Sequence, residues 1–258
     1  MRYTSLGSGS EGNALLIEQD RGSGRTRLMI DCGYGLREIE QRLGLRGIEP
    51  QSLSAILVTH EHADHIGGVF RLAKRYQVPV VMTRGTFDAT SHKLPAGLEV
   101  RCCVSEQAFV VQDLEIFPFA VPHDAREPVQ FAIDDGHARL GVVTDLGHAT
   151  DLVKDVLKRC QGIVLESNHC PELLMQSAYP LSVRNRIKGL KGHLSNEQAA
   201  DLLEEVGLGG INVLHAAHIS QRTNLPERVV RSWSERLDLK PEDIGIACQF
   251  QGFDWAQV

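Results

Sequence analysis

The chain contains no Cys-x-x-Cys pair. Its six cysteines, Cys32, Cys102, Cys103, Cys160, Cys170 and Cys248, are scattered. Their spacing excludes a zinc ribbon and argues against a disulfide framework. They are expected as mostly buried free thiols, with Cys170, beside His169, the one to follow. No apolar h-region opens the sequence, and no run approaches the roughly 18 apolar residues of a membrane span. A cytoplasmic protein with no membrane partner is therefore expected. Positive charge is not in excess: 27 Lys and Arg stand against 33 Asp and Glu, a formal net charge of -6. Any polyanion would have to be met by a local basic patch rather than by the molecule as a whole. The glycine-rich "GSGSEGN" lacks the Gly-Lys-Ser/Thr of a phosphate-binding Walker loop. There is no linker, short-period repeat or low-complexity tract, so one domain over residues 1–258 is the simplest organisation.

Strand-like and helix-like segments alternate throughout. Ala14 to Glu18 and Arg27 to Ile30 flank the turn-rich "DRGSGR" and predict a hairpin. Leu36 to Leu43 predicts a short helix. The runs at 55–59 and 78–82 predict buried strands, and between them Ile66, Val69, Leu72, Ala73 and Tyr76 form a helical stripe over 65–76. Two or three short strands are expected between Val100 and Phe119. "QFAI" and "RLGVVTD" follow around the turn "DDGHA". Residues 152–160 read as helix and "GIVLES" as strand. Ser195 to Val206 is the clearest helix: Ser195 is a good N-cap, Gln198 completes a capping box, and Gly207 supplies the stop. "INVLHAA" reads as the last core strand, before a helix from Pro226 to Leu237. In each half a strand cluster precedes strand-helix alternation. That predicts an α+β fold of two packed sheets with helices outside.

The chemistry is concentrated in "VTHEHADHIGG". His60, His62, Asp64 and His65 fall within six positions, directly after the apolar run 55–58. His60 and His62 are two apart, so an extended backbone places them on one side. Asp64 and His65 sit where the chain turns into the helix, and Gly67 and Gly68 allow close backbone approach there. One pair can serve one metal and the second pair another. Imidazole and carboxylate ligands suit zinc, manganese or iron(II) rather than calcium. Two metals need further ligands, and three later strand ends offer them: His123 in "FAVPHDA", Asp145 in "GVVTDLG", and His218 in "NVLHAAHIS", where His215 competes.

These motifs, in this order, resemble the metallo-β-lactamase fold superfamily, whose H-x-H-x-D-H stands here as His60, His62, Asp64 and His65. Within it, "LGSGSEGNALLIE", "VPHDAREPVQF", "VTDLG", "LESNHC" and "KGHLSNEQAA" are similar to the YycJ (WalJ) branch, which is associated with DNA exonuclease activity. The resemblance implies an αββα four-layer sandwich with two divalent metal ions at one edge. It implies one metal on His60, His62 and His123, a second on Asp64, His65 and His218, and Asp145 bridging. Asp31, ending "LMIDCG", is implied as a brace for the ligand loop. Members tend to carry two adjacent asparagines after the last ligand, whereas this chain has only Asn224 in "HISQRTNLPE". Between Asp145 and His218 lie too few residues for the inserted domain of larger RNA-processing members.

Fold alone does not fix the reaction. "RNRIKGLKGHLSNEQ" places Arg184, Arg186 and Lys191 before His193, just ahead of a capped helix whose N-terminal N–H groups favour an anion. With the resemblance, this makes His193 the expected proton donor to a phosphodiester leaving oxygen, and nucleic acid, DNA in particular, the expected substrate. Asp64 and His193 are the expected catalytic pair. Ser8, Ser10 and Asn13 in "SGSEGN", together with His169, Arg184, Arg186 and Lys191, are candidate substrate contacts. Two other expectations compete: a small ester or thioester hydrolase of the glyoxalase II type, and a metal-stabilised binding protein with little turnover.

Overall fold

A computed structural model describes residues 1–22 and 24–258. Two seven-stranded sheets face each other. In the first, β1 (Arg2–Gly7), β2 (Ala14–Asp20) and β3 (Arg25–Ile30) form an antiparallel meander. β4 (Ala55–Leu57), β5 (Val80–Thr83) and β6 (Val100–Cys103) then add in parallel. The second sheet repeats the scheme. β7 (Phe109–Val111), β8 (Leu114–Ala120), β9 (Val129–Asp134) and β10 (Arg139–Val143) are antiparallel. β11 (Gly162–Glu166), β12 (Val213–Ala217) and β13 (Ile244–Ile246) follow in parallel. The chain finally returns to the first sheet, where β14 (Phe253–Gln257) pairs antiparallel with β1.

Four layers follow from the two-residue period of a strand. In β2, Leu15 and Ile17 point between the sheets while Leu16 points to the outer helices; in β3, Leu28 and Ile30 point inward and Met29 outward. The outer face of the first sheet is covered by α1 (Leu36–Leu45), through Ile39 and Leu43, and by a helix from Val69 to Tyr76, through Leu72 and Ala73. Ile163 and Leu165 of β11 meet the helices on the other side, where α5 (Asp151–Leu157), α8 (Asn196–Val206) and α9 (Pro226–Leu237) pack around the fully buried Trp233. Continuous apolar runs, whose successive side chains supply both faces of each strand, thus account for the expected αββα sandwich.

Several elements depart from the sequence reading. The helix expected over 65–76 is two, α2 (Ala63–Ile66) and α3 (Val69–Tyr76), broken at Gly67–Gly68. A Cβ at Gly68 would collide with the Tyr34 carbonyl, so the break is where the ligand loop lies against the exit of β3. Backbone bonds from Cys32 to His65 and from Gly68 to Cys32, each 2.7 Å, hold that contact. "INVLHAA" is the last interior strand, as expected, and the two short strands that follow it, β13 and β14, lie at sheet edges. Three short helices were not expected: α4 (Arg84–Thr90), α6 (Pro171–Gln176) and α7 (Leu181–Ile187). Ser23, in the predicted "DRGSGR" turn, lies outside the described residues, but the hairpin forms, with Ile17 opposite Leu28. The capping box of α8 is present as predicted, with Ser195 and Gln198 bonding each other's backbone N–H. No helix among the described residues is long and apolar enough to cross a membrane. All six cysteines are free; Cys170 is buried, and Arg228 Nη1 lies 3.0 Å from its sulfur.

Candidate metal centre

The ends of β3, β4, β8, β10, β11 and β12 all open on one edge of the sandwich, and each delivers a polar side chain there. Three of these residues, Asp31, Asp145 and His218, have left-handed backbone with φ of 60°, 56° and 53°. That region is disfavoured for residues with a Cβ, and its use at one edge shows that packing dictates the turn. Ser8 helps to hold the last of these turns, its Oγ accepting the His218 N–H at 2.9 Å.

Among the described residues, four overlapping clusters could hold a metal: two match the expected groups, and the others are His60, His65 and Asp145, and Asp145, Glu166, His193 and His218. One ring nitrogen each from His60, His62 and His123 lies within 4.8 Å of the others. Asp64 Oδ2 lies 3.4 Å from His65 Nε2 and 3.5 Å from His218 Nε2. Asp145 stands between the groups, with Oδ2 2.8 Å from His65 Nε2 and Oδ1 3.7 Å from His123 Nε2. His215 is elsewhere: its Nδ1 meets the Tyr3 hydroxyl at 2.9 Å and its ring stacks on Phe253. Of the two competing histidines, therefore, only His218 reaches the centre.

A second layer aims these side chains. Asp31 accepts from Thr59 N and Thr59 Oγ1, both at 2.8 Å, and from His65 Nδ1 at 2.7 Å. A carboxylate can only accept, so the proton sits on Nδ1 and the Nε2 lone pair faces the centre. His60 Nδ1 is held by Thr59 Oγ1 at 2.9 Å, and His123 Nδ1 by the Gly192 carbonyl at 3.1 Å. The sequence reading missed Glu166, the fully buried last residue of β11. Its Oε1 accepts from His193 Nδ1 and His218 Nδ1, each at 2.8 Å; its Oε2 accepts from Leu146 N at 2.9 Å and Leu194 N at 3.0 Å. The available signal was its context, an acid ending an apolar strand, as at Asp31 and Asp145.

The centre is built for positive charge. His60 Nε2, Asp145 Oδ2 and His218 Nε2 are buried with no hydrogen-bond partner. The 2.8 Å approach of His65 to Asp145 Oδ2 is thus a close pair without hydrogen-bond alignment. Unpaired buried polar atoms are strongly unfavourable unless something fills the space between them. Burial opposes ionisation of His218, yet the carboxylates of Asp145, Asp64 and Glu166 push its imidazole up to about 10. Against the same burial, His193 and His218 pull Glu166 down to about 2. Burial, reinforced by the neighbouring His65, holds His60 well below its ordinary value and therefore neutral. Convergent imidazole nitrogens and carboxylate oxygens, in a field that favours positive charge and with a His218 proton that a metal would displace, fit divalent cations bound by nitrogen and oxygen.

The candidate substrate contacts separate. Ser8 and Asn13 are internal braces: Ser8 Oγ donates to Asn13 Oδ1 at 2.9 Å, and Asn13 Nδ2 lies 3.2 Å from His65 Nε2. Ser10 is exposed. His169 is buried, its Nδ1 has no partner, and burial lowers it to about 4 despite the charge of Glu166. Arg184 turns away to the Met175 carbonyl at 2.7 Å. Arg186 pairs with Asp124, and Lys191 is exposed beside His193. His193 itself is 14% exposed, more open than His123 and His218, with Nδ1 also 3.3 Å from Asp145 Oδ1. Asn224, in the loop after His218, bonds the Ser167 carbonyl and the Asn196 side chain, so it ties that loop to β11 and α8.

Comparison with known proteins agrees with this fold. The family described as "Beta-lactamase superfamily domain" matches residues 26–219. The chain is 32% identical over 257 residues to the exodeoxyribonuclease YycJ of Bacillus anthracis, covering 98% of this chain and 96% of that one. To the exodeoxyribonuclease WalJ of Streptococcus pneumoniae it is 28% identical over 261 residues, covering 98% and 93%. Among solved structures, the metallo-β-lactamase fold protein YhfI of Bacillus subtilis superposes with a TM-score of 0.75 over 99% of both chains, at 16% identity.

Proposed function

The chain belongs to the β-lactamase superfamily of metal-dependent hydrolases with the metallo-β-lactamase fold, and from that premise we propose that it is a phosphodiesterase acting on nucleic acid, a DNA exonuclease. The observation that carries the reading is His193. It is partly open, anchored at Nδ1 by Glu166 and set against Asp145, with its other ring nitrogen left for a substrate atom. The names of the relatives from Bacillus anthracis and Streptococcus pneumoniae support the choice of substrate.

In this reading His60, His62 and His123 would hold one divalent ion and Asp64, His65 and His218 another, with Asp145 set between the two groups of side chains. Bound zinc, manganese or iron would supply Lewis-acid charge to the phosphoryl oxygens and an activated water. The chain does the rest. Asp31 and Glu166 fix the tautomers of His65 and His218, so that both present lone pairs. Asp64, the most open of the site carboxylates at 25% exposed, orients the attacking water. Glu166 holds His193 through Nδ1, so that the outer ring nitrogen faces the departing oxygen as the proton donor. Lys191 and Arg186 add positive charge at the mouth, where a polyanion must approach.

The test is direct. Metal-reconstituted protein is offered 5′-phosphorylated DNA, bis(p-nitrophenyl) phosphate and a glutathione thioester. Release of nucleotides from DNA supports the reading. Turnover of the thioester alone would move the assignment to the glyoxalase II type, and turnover of none to a binding protein.

A further inference from the structure

Arg186 is poorly explained as a surface cation. It lies on α7, a helix with no buried residue, so hydrophobic packing does not determine where its guanidinium points. The direction is set by Asp124, the residue after His123. Arg186 donates through Nε to Asp124 Oδ2 and through Nη2 to Oδ1, the latter at 3.0 Å, a two-bond fork. Asp124 Oδ1 is itself 3.5 Å from His123 Nε2 and 3.9 Å from His62 Nε2. The guanidinium is thereby fixed at the rim of the first histidine group. Asp124 raises the Arg186 pKa against partial burial, and Asp145 and Asp64 add to it, so the cation also feels the field of the centre.

A guanidinium has two usable edges. Asp124 occupies the Nε/Nη2 edge. Among the described residues nothing accepts a hydrogen bond from Nη1, and the side chain is 54% exposed. The Nη1/Nη2 edge therefore offers two parallel N–H groups to a ligand with two oxygens on one centre. A carboxylate already satisfies the inner edge, and a phosphodiester has the matching geometry for the outer one. Arg184, two residues earlier, has no such role because its Nη1 is bonded to the Met175 carbonyl.

We propose that Asp124 is a positioning residue that braces Arg186, and that the free edge of Arg186 binds a backbone phosphate flanking the one at the metal centre. The inference rests on the nucleic-acid reading above, because only a chain with several phosphates has one to spare for this contact. Asp124 acts solely through Arg186: it turns a flexible side chain into a preformed clamp, which reduces the freedom lost on binding.

The experiment uses the metal-reconstituted full chain and a fluorescent, phosphorothioate-linked oligonucleotide that resists cleavage. Binding is followed by anisotropy over a range of salt concentrations, and metal content is measured alongside. Arg186→Ala is expected to weaken binding about 10- to 100-fold, as for loss of one charge-assisted contact. It should also lower the slope of log K against log salt by about 0.7–0.9, the signature of one lost phosphate. Asp124→Ala should weaken binding less, and Asp124→Ala/Arg186→Ala should match Arg186→Ala alone, with metal content unchanged throughout. The proposal is overturned if Arg186→Ala leaves affinity and salt slope intact. Tighter binding by Asp124→Ala would make Asp124 a competing anion, and loss of metal in that variant would make it part of the metal site; either result also sinks the brace. If the wild type binds no oligonucleotide yet hydrolyses a thioester, the nucleic-acid reading falls and this inference with it. If it binds and cleaves DNA while the variants behave as wild type, only this inference falls.

Discussion

Replacing Glu166 by Gln changes one buried atom and should disable the centre through hydrogen-bond polarity alone. The carboxylate accepts four bonds, two from imidazole Nδ1 atoms on Oε1 and two from backbone N–H groups on Oε2. An amide can accept on one side only. If its carbonyl turned to the imidazoles, its NH2 would face the N–H groups of Leu146 and Leu194. Two buried donors would then be unsatisfied, at about 1–3 kcal/mol each. The favoured orientation therefore keeps the carbonyl on the backbone and aims the NH2 at His193 and His218. Both imidazoles must then accept at Nδ1 and carry their proton on Nε2. For His218 that proton occupies the lone pair that faces Asp64. Loss of such an outer partner lowers metal affinity about 10- to 100-fold, or about 1.4–2.7 kcal/mol. Competition with a chromophoric chelator for zinc or manganese measures this, and the 15N shifts of His218 report the tautomer. Wild-type metal affinity with the His218 proton still on Nδ1 would refute the reasoning.

His193→Ala is expected to retain metal and lose about 10²–10⁴-fold in turnover of DNA, with a smaller loss on bis(p-nitrophenyl) phosphate, whose leaving group needs no proton. Equal losses on both would replace the proton-donor role with phosphate binding. Trp233→Ala, which empties the centre of the α5–α8–α9 layer, should lower unfolding free energy by about 3–5 kcal/mol in urea titration, and a loss under 1 kcal/mol would show that this layer is not a rigid core. Burial lowers His215 to about 4, so the folded state resists protonation that the unfolded chain accepts near its ordinary value of about 6.5. The associated stability is complete above about 6.5 and is lost as pH falls towards 4, about 3 kcal/mol in all; His215→Gln should therefore lose less stability than wild type between pH 7 and 4, and parallel curves would contradict this.

What could be read from the sequence was whatever is local. The six-residue ligand motif, the capping box of α8 and the apolar runs of β2, β3 and β11 are each decided by neighbours in the chain, and the structure forms them as expected. β1 escaped because Thr4 and Ser5, both buried, interrupt its apolar pattern. β14 is an edge strand whose Asp254 and Gln257 face solvent, so its burial pattern is too weak to read. Helix α7 escaped for the opposite reason: with no buried side chain it has no apolar stripe, and polar ties through Arg184 and Arg186 hold it.

The same distinction separates the site residues. His60, His62, Asp64 and His65 identify themselves by spacing, whereas Glu166 and Asp124 act through a histidine or an arginine that only the fold brings near. Glu166 lies 27 residues from His193 and 52 from His218, yet one of its oxygens is 2.8 Å from both. The asparagine after the last ligand shows the converse. Asn224 invited a functional reading by its position, but its amide is consumed by Ser167 and Asn196. A side chain whose donors and acceptors are all taken inside the protein can shape a site but cannot read a ligand. By that criterion Asn224, Ser8 and Asn13 brace the site, while the unpaired atoms of His60, His218, Asp145 and His169 and the outer edge of Arg186 are those left free at this edge for the ligands proposed above.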